Sequence, residues 1–282
     1  MKISAMPIGK KFTVKVMGII NTSPESFYKG SVKTGEQEIA TTARQMQEDG
    51  AHMIDIGGMS TAPYVQTALV SIEEEIRRIT EAIKVVKSAC NLPISADTPR
   101  AAVATEAIAA GADAVNDVTG LKYDIKMADV AAKAGVSVII GAYSKAPATG
   151  RIASTLKALK KSISLASEAG IKDVMIDPSI GFFRQEGRNP FFTKMTDMPW
   201  YARDIEILSN LHKLTTLKKP ICISVSRKSF IGHLLNLSTT QDRLLPSIVC
   251  ETIAALNGAN IIRTHNVRET VQAVTLLQLL RS

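Results

Sequence analysis

Little in this chain points to an oxidising compartment, a membrane or a nucleic acid. Only three cysteines occur among its 282 residues. Cys90, Cys222 and Cys250 stand far apart with no C-x-x-C or ligand spacing, which argues against a disulfide framework or a zinc site and leaves reduced, buried thiols as the expectation. No stretch stays apolar for the length a bilayer crossing needs. The opening MKISAMPIGKKFTVKV lacks the apolar segment and cleavage site of a secretory signal, so a cytoplasmic protein without membrane contact is expected. Aromatics make up only 5% of the residues, and no basic run is interleaved with them as a single-strand binder requires, so nucleic acid is not an expected partner. No Gly/Ser/Pro tract, low-complexity segment or charge block divides the chain, and one domain spanning 1–282 is expected.

What is present is a 45% hydrophobic share made mostly of Val, Ile, Leu, Ala and Met, the residues that fill parallel strands and the helices covering them. A net charge of +8 suits polyanions or small phosphorylated substrates and does not choose between them. Short apolar runs alternate with stretches of helical periodicity. The runs predict strands at Val14–Ile20, His52–Ile56, Pro93–Ala96, Ala114–Asn116, Ser137–Gly141, Asp173–Ile176, Pro220–Ser224 and Asn260–Arg263. Helices are predicted over Thr34–Glu48, Ile72–Ser88, Ala101–Ala110, Ile125–Ala134, Ile152–Ala169, Tyr201–Leu214 and Arg243–Leu256, with Leu234–Asp242 a loop. Most of these helices end at a glycine, where a left-handed residue is wanted. Such alternation permits an open doubly wound sheet as well as a closed barrel, and the eight predicted strands favour an α/β fold of the (β/α)8, or TIM barrel, kind.

In a parallel barrel the loops after the strands form the active face, so the residues that close each apolar run carry the functional signal. In chain order these are Asn21-Thr22-Ser23-Pro24, Gly57-Gly58-Met59-Ser60-Thr61, Asp97-Thr98, Asn116-Asp117, Asp177-Pro178, Ser226-Arg227-Lys228 and Arg263-Thr264-His265-Asn266. A single Asp or Ser there commonly caps the next helix. Asp97, Asn116 and Asp177 reaching one rim with Lys228 and Arg263 imply more, because converging charge is costly to desolvate unless a ligand satisfies it. Acceptors on one side and Lys228, Arg263, His265 and glycine-exposed backbone on the other suit a ligand with a donor-rich end and an anionic end, as in a pterin diphosphate. Asn21 would hold a hydrated magnesium ion. Glu73-Glu74-Glu75 followed by Arg77-Arg78 reads as a solvated helix face with intrahelical pairs.

The same segments resemble dihydropteroate synthase over nearly the whole chain. MGIINTSPESF is similar to that family's M-G-I-L-N-V-T-P-D-S-F, and DIGGMSTAP to D-I-G-G-E-S-T-R-P. ISADT, GADAVNDVTG, DPSIGF, SRKSFIG and RTHNV resemble S-V-D-T, G-A-D-I-I-N-D-V-S-G, D-P-G-I-G-F, S-R-K-S-F-I-G and R-V-H-D-V. The resemblance implies a (β/α)8 barrel, a homodimer, Mg2+, and condensation of 6-hydroxymethyl-7,8-dihydropterin diphosphate with p-aminobenzoate or a related arylamine, releasing pyrophosphate in folate or modified-pterin biosynthesis. It implies that Asp97, Asn116, Val118, Asp177, Phe182, Lys228 and Arg263 line the pterin pocket. Asn21, Arg263 and His265 would meet the pyrophosphate, with Asn21 on the metal, and Thr61, Pro63, Phe27 and Ser229 would face the arylamine. Catalysis would rest on Arg263 and His265 at the leaving group, Asp97 and Asp177 at the positive charge developing in the pterin, and Lys228 at its carbonyl.

This chain departs from the family at Met59 and Ala62, where glutamate and arginine are usual, and at Ser179, Ser224 and Asn266. After the fifth strand Gly141-Ala142-Tyr143 replaces H-M-Q-G, so Tyr143 would stand in for a methionine on the pterin. Lys29, Arg151 or another cation would replace the arginine lost at Ala62, and the altered acceptor side points to a modified aminobenzoate such as a ribosylated arylamine. Two other functions fit the same pocket: a pterin-dependent methyltransferase, which would not need pyrophosphate contacts, and a noncatalytic pterin-binding protein.

Overall fold

Eight parallel strands alternate with helices in the computed structural model, which describes residues 1–9, 13–25, 28, 30, 32–66 and 70–281. The strands are β1 (Lys15–Asn21), β2 (Met53–Gly57), β3 (Ile94–Asp97), β4 (Ala114–Asp117), β5 (Ser137–Gly141), β6 (Val174–Asp177), β7 (Cys222–Ile223) and β8 (Ile261–Thr264). They hydrogen-bond in the order β7-β8-β1-β2-β3-β4-β5-β6. A bridge between Ile176 and Ile221, with the Ile176 amide donating to the Pro220 carbonyl at 2.9 Å, completes the ring. The chain therefore folds as the (β/α)8 barrel expected.

The helices are α1 (Glu36–Glu48), α2 (Ile72–Ala89), α3 (Ala101–Ala110), α4 (Met127–Ala134), α5 (Ile152–Glu168), α6 (Trp200–Ser209), α7 (Ser229–Leu235), α8 (Leu244–Leu256) and α9 (Val267–Leu279). Gly111 and Gly135 end α3 and α4 in the left-handed conformation, which glycine adopts without a Cβ penalty. Two expectations are corrected. The segment Leu234–Asp242 is not all loop: α7 runs to Leu235, and a 3-10 turn occupies Gln241–Arg243. The helix expected over Tyr201–Leu214 stops at Ser209 and continues as a 3-10 segment, Leu211–Leu217. Among the described residues no helix is long and apolar enough to cross a membrane.

Strand parity explains how an apolar barrel comes to hold a polar site. Side chains alternate between the two faces of a strand, so residues two apart share the barrel interior. Met53, Ala114, Met175, Cys222 and Ile261 lie together in one buried apolar cluster with Met17 and Ile139. Two residues further along the same strands stand Asp55, Asn116, Asp177, Ser224 and Arg263. Val16, Ile20, Ile54 and Ile56 have the opposite parity and pack outward with residues of α1 and α2 such as Ile39, Ala43, Ile79 and Ile83. The barrel is thus apolar at its N-terminal end and polar at its C-terminal end.

The apolar end is plugged by a small hairpin, Lys2–Ile3 against Met6–Pro7, which apolar periodicity does not predict. Ile3 and Ile8 are buried against the lower interior layer. The Lys2 carbonyl accepts from the Ser137 hydroxyl at the start of β5, at 3.0 Å.

Candidate active site

At the polar end Asp55, on β2, is the most enclosed charge. Its Oδ2 accepts from Arg263 Nε at 2.6 Å and from Asn116 Nδ2 at 3.2 Å, and the residue is fully buried. Arg263 extends from β8 across the barrel, its Nη2 donating to Asp97 Oδ2 at 2.7 Å and its Nη1 to the Ser224 hydroxyl at 3.4 Å. Two carboxylates from neighbouring strands therefore share one guanidinium. Neither Asp55 nor Ser224 is among the site residues expected from sequence, although the parity of Met53 and Cys222 points both into the barrel.

Above this layer a hollow of about 60 Å3 is lined by Asn21, Met59, Ser60, Thr61, Ala62, Asp97, Phe182, Ser224, Lys228, Arg263 and His265. Of the residues expected at the pterin and pyrophosphate, Asn21, Asp97, Phe182, Lys228, Arg263 and His265 meet there. Asn116 and Asp177 are absent from this lining; the Asp177 carboxylate accepts from the Ser179 amide at 2.6 Å. Val118 packs instead with Met59, Val70, Phe191 and Tyr123 beside the hollow. Hollows at the opposite end of the barrel are larger, about 330 and 620 Å3, but the residues lining them include no carboxylate.

The local electrostatics come from enclosure and from neighbours. Desolvation raises the Asp97 pKa to about 7, with Arg263 opposing the shift and Asp55 reinforcing it. Asp177 is raised as well, chiefly by burial, against the Ser179 amide and Lys228. Burial and then the nearby Arg263 charge lower Lys228 to about 8. Lys228 Nζ sits 4.6 Å from the centre of the Phe182 ring, a cation–π contact that closes one wall. Burial works against the charge of Arg263, but Asp55 and Asp97 more than offset it and hold the guanidinium firmly protonated. His265 is pushed well below the usual histidine value by burial and by Arg263, Arg227 and Lys228, so near neutral pH its ring is uncharged. Its Nδ1 lies 3.1 Å from the Ser226 hydroxyl. It would therefore meet a leaving group as a hydrogen-bonding partner and not as a cation.

Struts around the hollow hold its walls. Arg227, at φ 55°, donates twice to Asn266 Oδ1 at 3.2 and 2.6 Å and to the Thr240 and Gln241 carbonyls, tying the strand 7 loop to the strand 8 loop. Asp117 proves to be a turn-former, accepting from Thr119 and from the Leu121 amide. The reading of Glu73–Glu75 as a solvated face fails at Glu75. That residue is fully buried, accepting from the Thr98 hydroxyl at 2.6 Å and from Arg100 Nη1 at 2.9 Å, because helical period turns it inward behind Asp97.

The side expected to face the arylamine is built from two loops. Thr61 and Pro63 lie on the β2 loop, which is gripped by the excursion between β6 and α6: Asn189 Nδ2 donates to the Ala62 and Val65 carbonyls at 2.6 and 2.9 Å, and the Arg188 amide to the Pro63 carbonyl at 2.6 Å. Tyr143 anchors this excursion through its hydroxyl, which donates to the Pro190 carbonyl at 3.1 Å. Ser229 accepts from Arg184 Nη2 at 2.8 Å. Arg151 lies exposed at the start of α5. Phe27 and Lys29 lie outside the described residues.

The chain is similar to known proteins over nearly its whole length. The family model described as pterin binding enzyme matches residues 17–265. A dihydropteroate synthase from Clostridium beijerinckii is 33% identical over 285 residues, covering 99% of each chain. A solved dihydropteroate synthase from Clostridium difficile, obtained in the presence of pteroic acid, superposes with a TM-score of 0.82 at 33% identity, covering 95% of this chain and 97% of its own. The Xanthomonas albilineans enzyme with 4-aminobenzoic acid gives 0.82 at 32% identity, covering 96% and 94%.

Proposed function

Since the chain belongs to the pterin-binding enzyme family, we propose that it acts as a dihydropteroate synthase, joining 6-hydroxymethyl-7,8-dihydropterin diphosphate to p-aminobenzoate or a related arylamine and releasing pyrophosphate. The observation that carries this reading is the meeting of Asn21, Asp97, Phe182, Lys228, Arg263 and His265 around one hollow, above Asp55 and Asn116.

The site reads as an ion pair waiting to be exchanged. Asp97 is bonded to Arg263. A pterin diphosphate brings ring N–H donors for Asp97 and an anion for Arg263, so each partner leaves the other for a ligand group of matching character. Phe182 offers a face to the ring, Lys228 a donor to its carbonyl, and Asn116 and Asp177 acceptors from deeper in the barrel. The C–O bond to pyrophosphate breaks, its electron pair leaving with the oxygen, and Arg263 with neutral His265 receives the charge. Positive charge left on the pterin methylene lies over ionised Asp97 and Asp177. The arylamine nitrogen then bonds to that carbon and loses a proton. Thr61, Pro63 and Ser229 frame its approach.

Magnesium belongs to the proposal as a companion of the pyrophosphate. Among the described residues no group of three or more His, Cys, Asp or Glu gathers to hold a metal alone. The amide oxygen of Asn21, next to Gly57 at the rim, fits as one protein ligand of an ion that keeps its waters and takes phosphate oxygens. When bound, the ion would supply charge neutralisation on the leaving group. A methyl-transferring relative has no use for the Asn21, Arg263 and His265 corner, which favours the synthase. A homodimer in the cytoplasm completes the reading. An apolar stripe of Leu245, Val249, Ile253 and Leu256 on α8, continued by Leu276 and Leu279 on α9, supports pairing with a second copy.

The test is direct: protein, Mg2+ and the pterin diphosphate, with and without p-aminobenzoate or its ribosylated relatives, followed by pyrophosphate assay and product mass. Arylamine-dependent pyrophosphate release with a condensed product is expected. Tight pterin binding with no release would leave a noncatalytic binder.

A further inference from the structure

One hydroxyl decides which nitrogen of His265 carries the ring proton. Ser226 Oγ, in the loop after β7, lies 3.1 Å from His265 Nδ1. It also accepts from the His265 backbone amide at 3.2 Å and from Asn266 Nδ2 at 3.3 Å. The Asn266 carboxamide has one orientation open to it. Its Oδ1 takes two bonds from Arg227, from Nε at 3.2 Å and Nη2 at 2.6 Å, and a guanidinium only donates, so the group facing Ser226 is the NH2. Ser226 and Asn266 are both buried.

A hydroxyl oxygen has two lone pairs and one hydrogen. Both lone pairs of Ser226 are taken by the two N–H donors, so a third donor, an Nδ1–H, would have nowhere to bond. The Ser226 hydrogen therefore goes to Nδ1, which must be the unprotonated nitrogen of the ring. The other neighbour, the Thr264 hydroxyl, is farther off at 3.4 Å and has a nearer partner in Thr270 Oγ1 at 3.0 Å. The Thr270 hydrogen is drawn to Glu251 Oε2 or to the Asn266 carbonyl, each at 2.7 Å, so between the two threonines Thr264 is the donor. With Nδ1 unprotonated, the imidazole is neutral and its proton sits on Nε2. Asn266 stands where the related pattern R-V-H-D-V has aspartate. A carboxylate there would accept the Ser226 hydrogen, release one of the hydroxyl's lone pairs and draw a proton onto Nδ1.

We propose that Asn266, acting through Ser226, is a positioning residue that holds His265 as its neutral Nε2–H tautomer, so that the imidazole offers a hydrogen-bond donor to the departing pyrophosphate. The donor role rests on the synthase reading; the tautomer itself does not. Arg263 and His265 then meet the leaving group as one charged and one neutral donor, and the histidine adds no further cation beside Arg263, Arg227 and Lys228.

The test is nitrogen NMR of protein isotopically labelled at histidine, read through the ring protons at a pH of about 8, with H265Q assigning the signals. Wild type should show an unprotonated, pyridine-type Nδ1 and a protonated, pyrrole-type Nε2. The reverse pattern, or both nitrogens protonated, overturns the inference without any variant having to fold. In N266D, which keeps the size of the side chain and gives Arg227 a carboxylate, Nδ1 should become protonated; an unchanged ring removes Asn266 from the role. Pyrophosphate release from the pterin diphosphate with 4-aminobenzoate then tests the donor. In N266D kcat should fall roughly 10- to 100-fold, toward the low end of what losing a preorganised donor to a developing anion costs, while the KM for 4-aminobenzoate stays within about threefold. A relocated proton with kcat unchanged would overturn the donor role. A wild type with the expected tautomer and no pyrophosphate release would overturn the synthase reading, and the donor role with it, while the tautomer assignment stands.

Discussion

Removing the carboxylate of Asp55 leaves Arg263 Nε and Asn116 Nδ2 without their acceptor in a closed interior. Breaking a buried pair by deleting one partner costs about 3–5 kcal/mol, so Asp55→Ala should lose roughly that much stability in chemical denaturation and should also weaken pterin binding. A loss under about 1 kcal/mol would mean that Arg263 finds another partner freely. Asp97 and Lys228 make a second prediction. Asp97 must be ionised to accept from the ring, which requires a pH above about 7, and Lys228 must stay protonated to donate, which requires a pH below about 8. The profile of kcat/KM for the pterin diphosphate should therefore be a narrow bell between those values. Lys228→Arg should carry the alkaline limb upward, and an unmoved limb would remove Lys228 from that role. Asp97, Lys228 and Arg263 were legible as site residues because each closes an apolar run. Asp55 was not, because it stands inside a strand and shows only through parity with Met53.

At the scale of elements, each of the eight predicted strands is present with ends within a few residues, since apolar runs bounded by glycine and polar clusters are what a buried parallel strand looks like in sequence. The hairpin at Lys2–Pro7 escapes such a reading because two-residue strands carry no alternation. Its isoleucines are nevertheless core residues: Ile3→Ala or Ile8→Ala should cost about 2–5 kcal/mol in unfolding experiments while kcat/KM stays within roughly twofold, since the plug lies at the end of the barrel away from the site. The loop after β6 makes the opposite prediction. Ser179 holds φ 57° and buries a hydroxyl with no partner among the described residues, held from outside by Arg203, which donates to the Pro178 and Ser179 carbonyls at 2.6 and 2.9 Å. Ser179→Gly should stabilise the protein by about 1 kcal/mol, because glycine adopts that backbone without the Cβ penalty. A lower melting temperature for this variant would show that the hydroxyl has a partner after all.

For the molecule as a whole, one end of the barrel is closed by apolar packing, while the other holds charges that satisfy one another only provisionally. Asp97 and Arg263 are paired across the mouth at 2.7 Å, and both line the hollow beside them. Function then depends on exchanging that pair for the two unlike ends of one substrate. The most direct measurement is the structure of the protein with a pterin diphosphate bound. The ring should lie against Phe182 with its carbonyl on Lys228 and its donor edge on Asp97, Asn116 and Asp177, and Arg263 should have left Asp97 for a phosphate oxygen. A pterin seated anywhere else, or Arg263 still bonded to Asp97 with the ligand in place, would contradict the account.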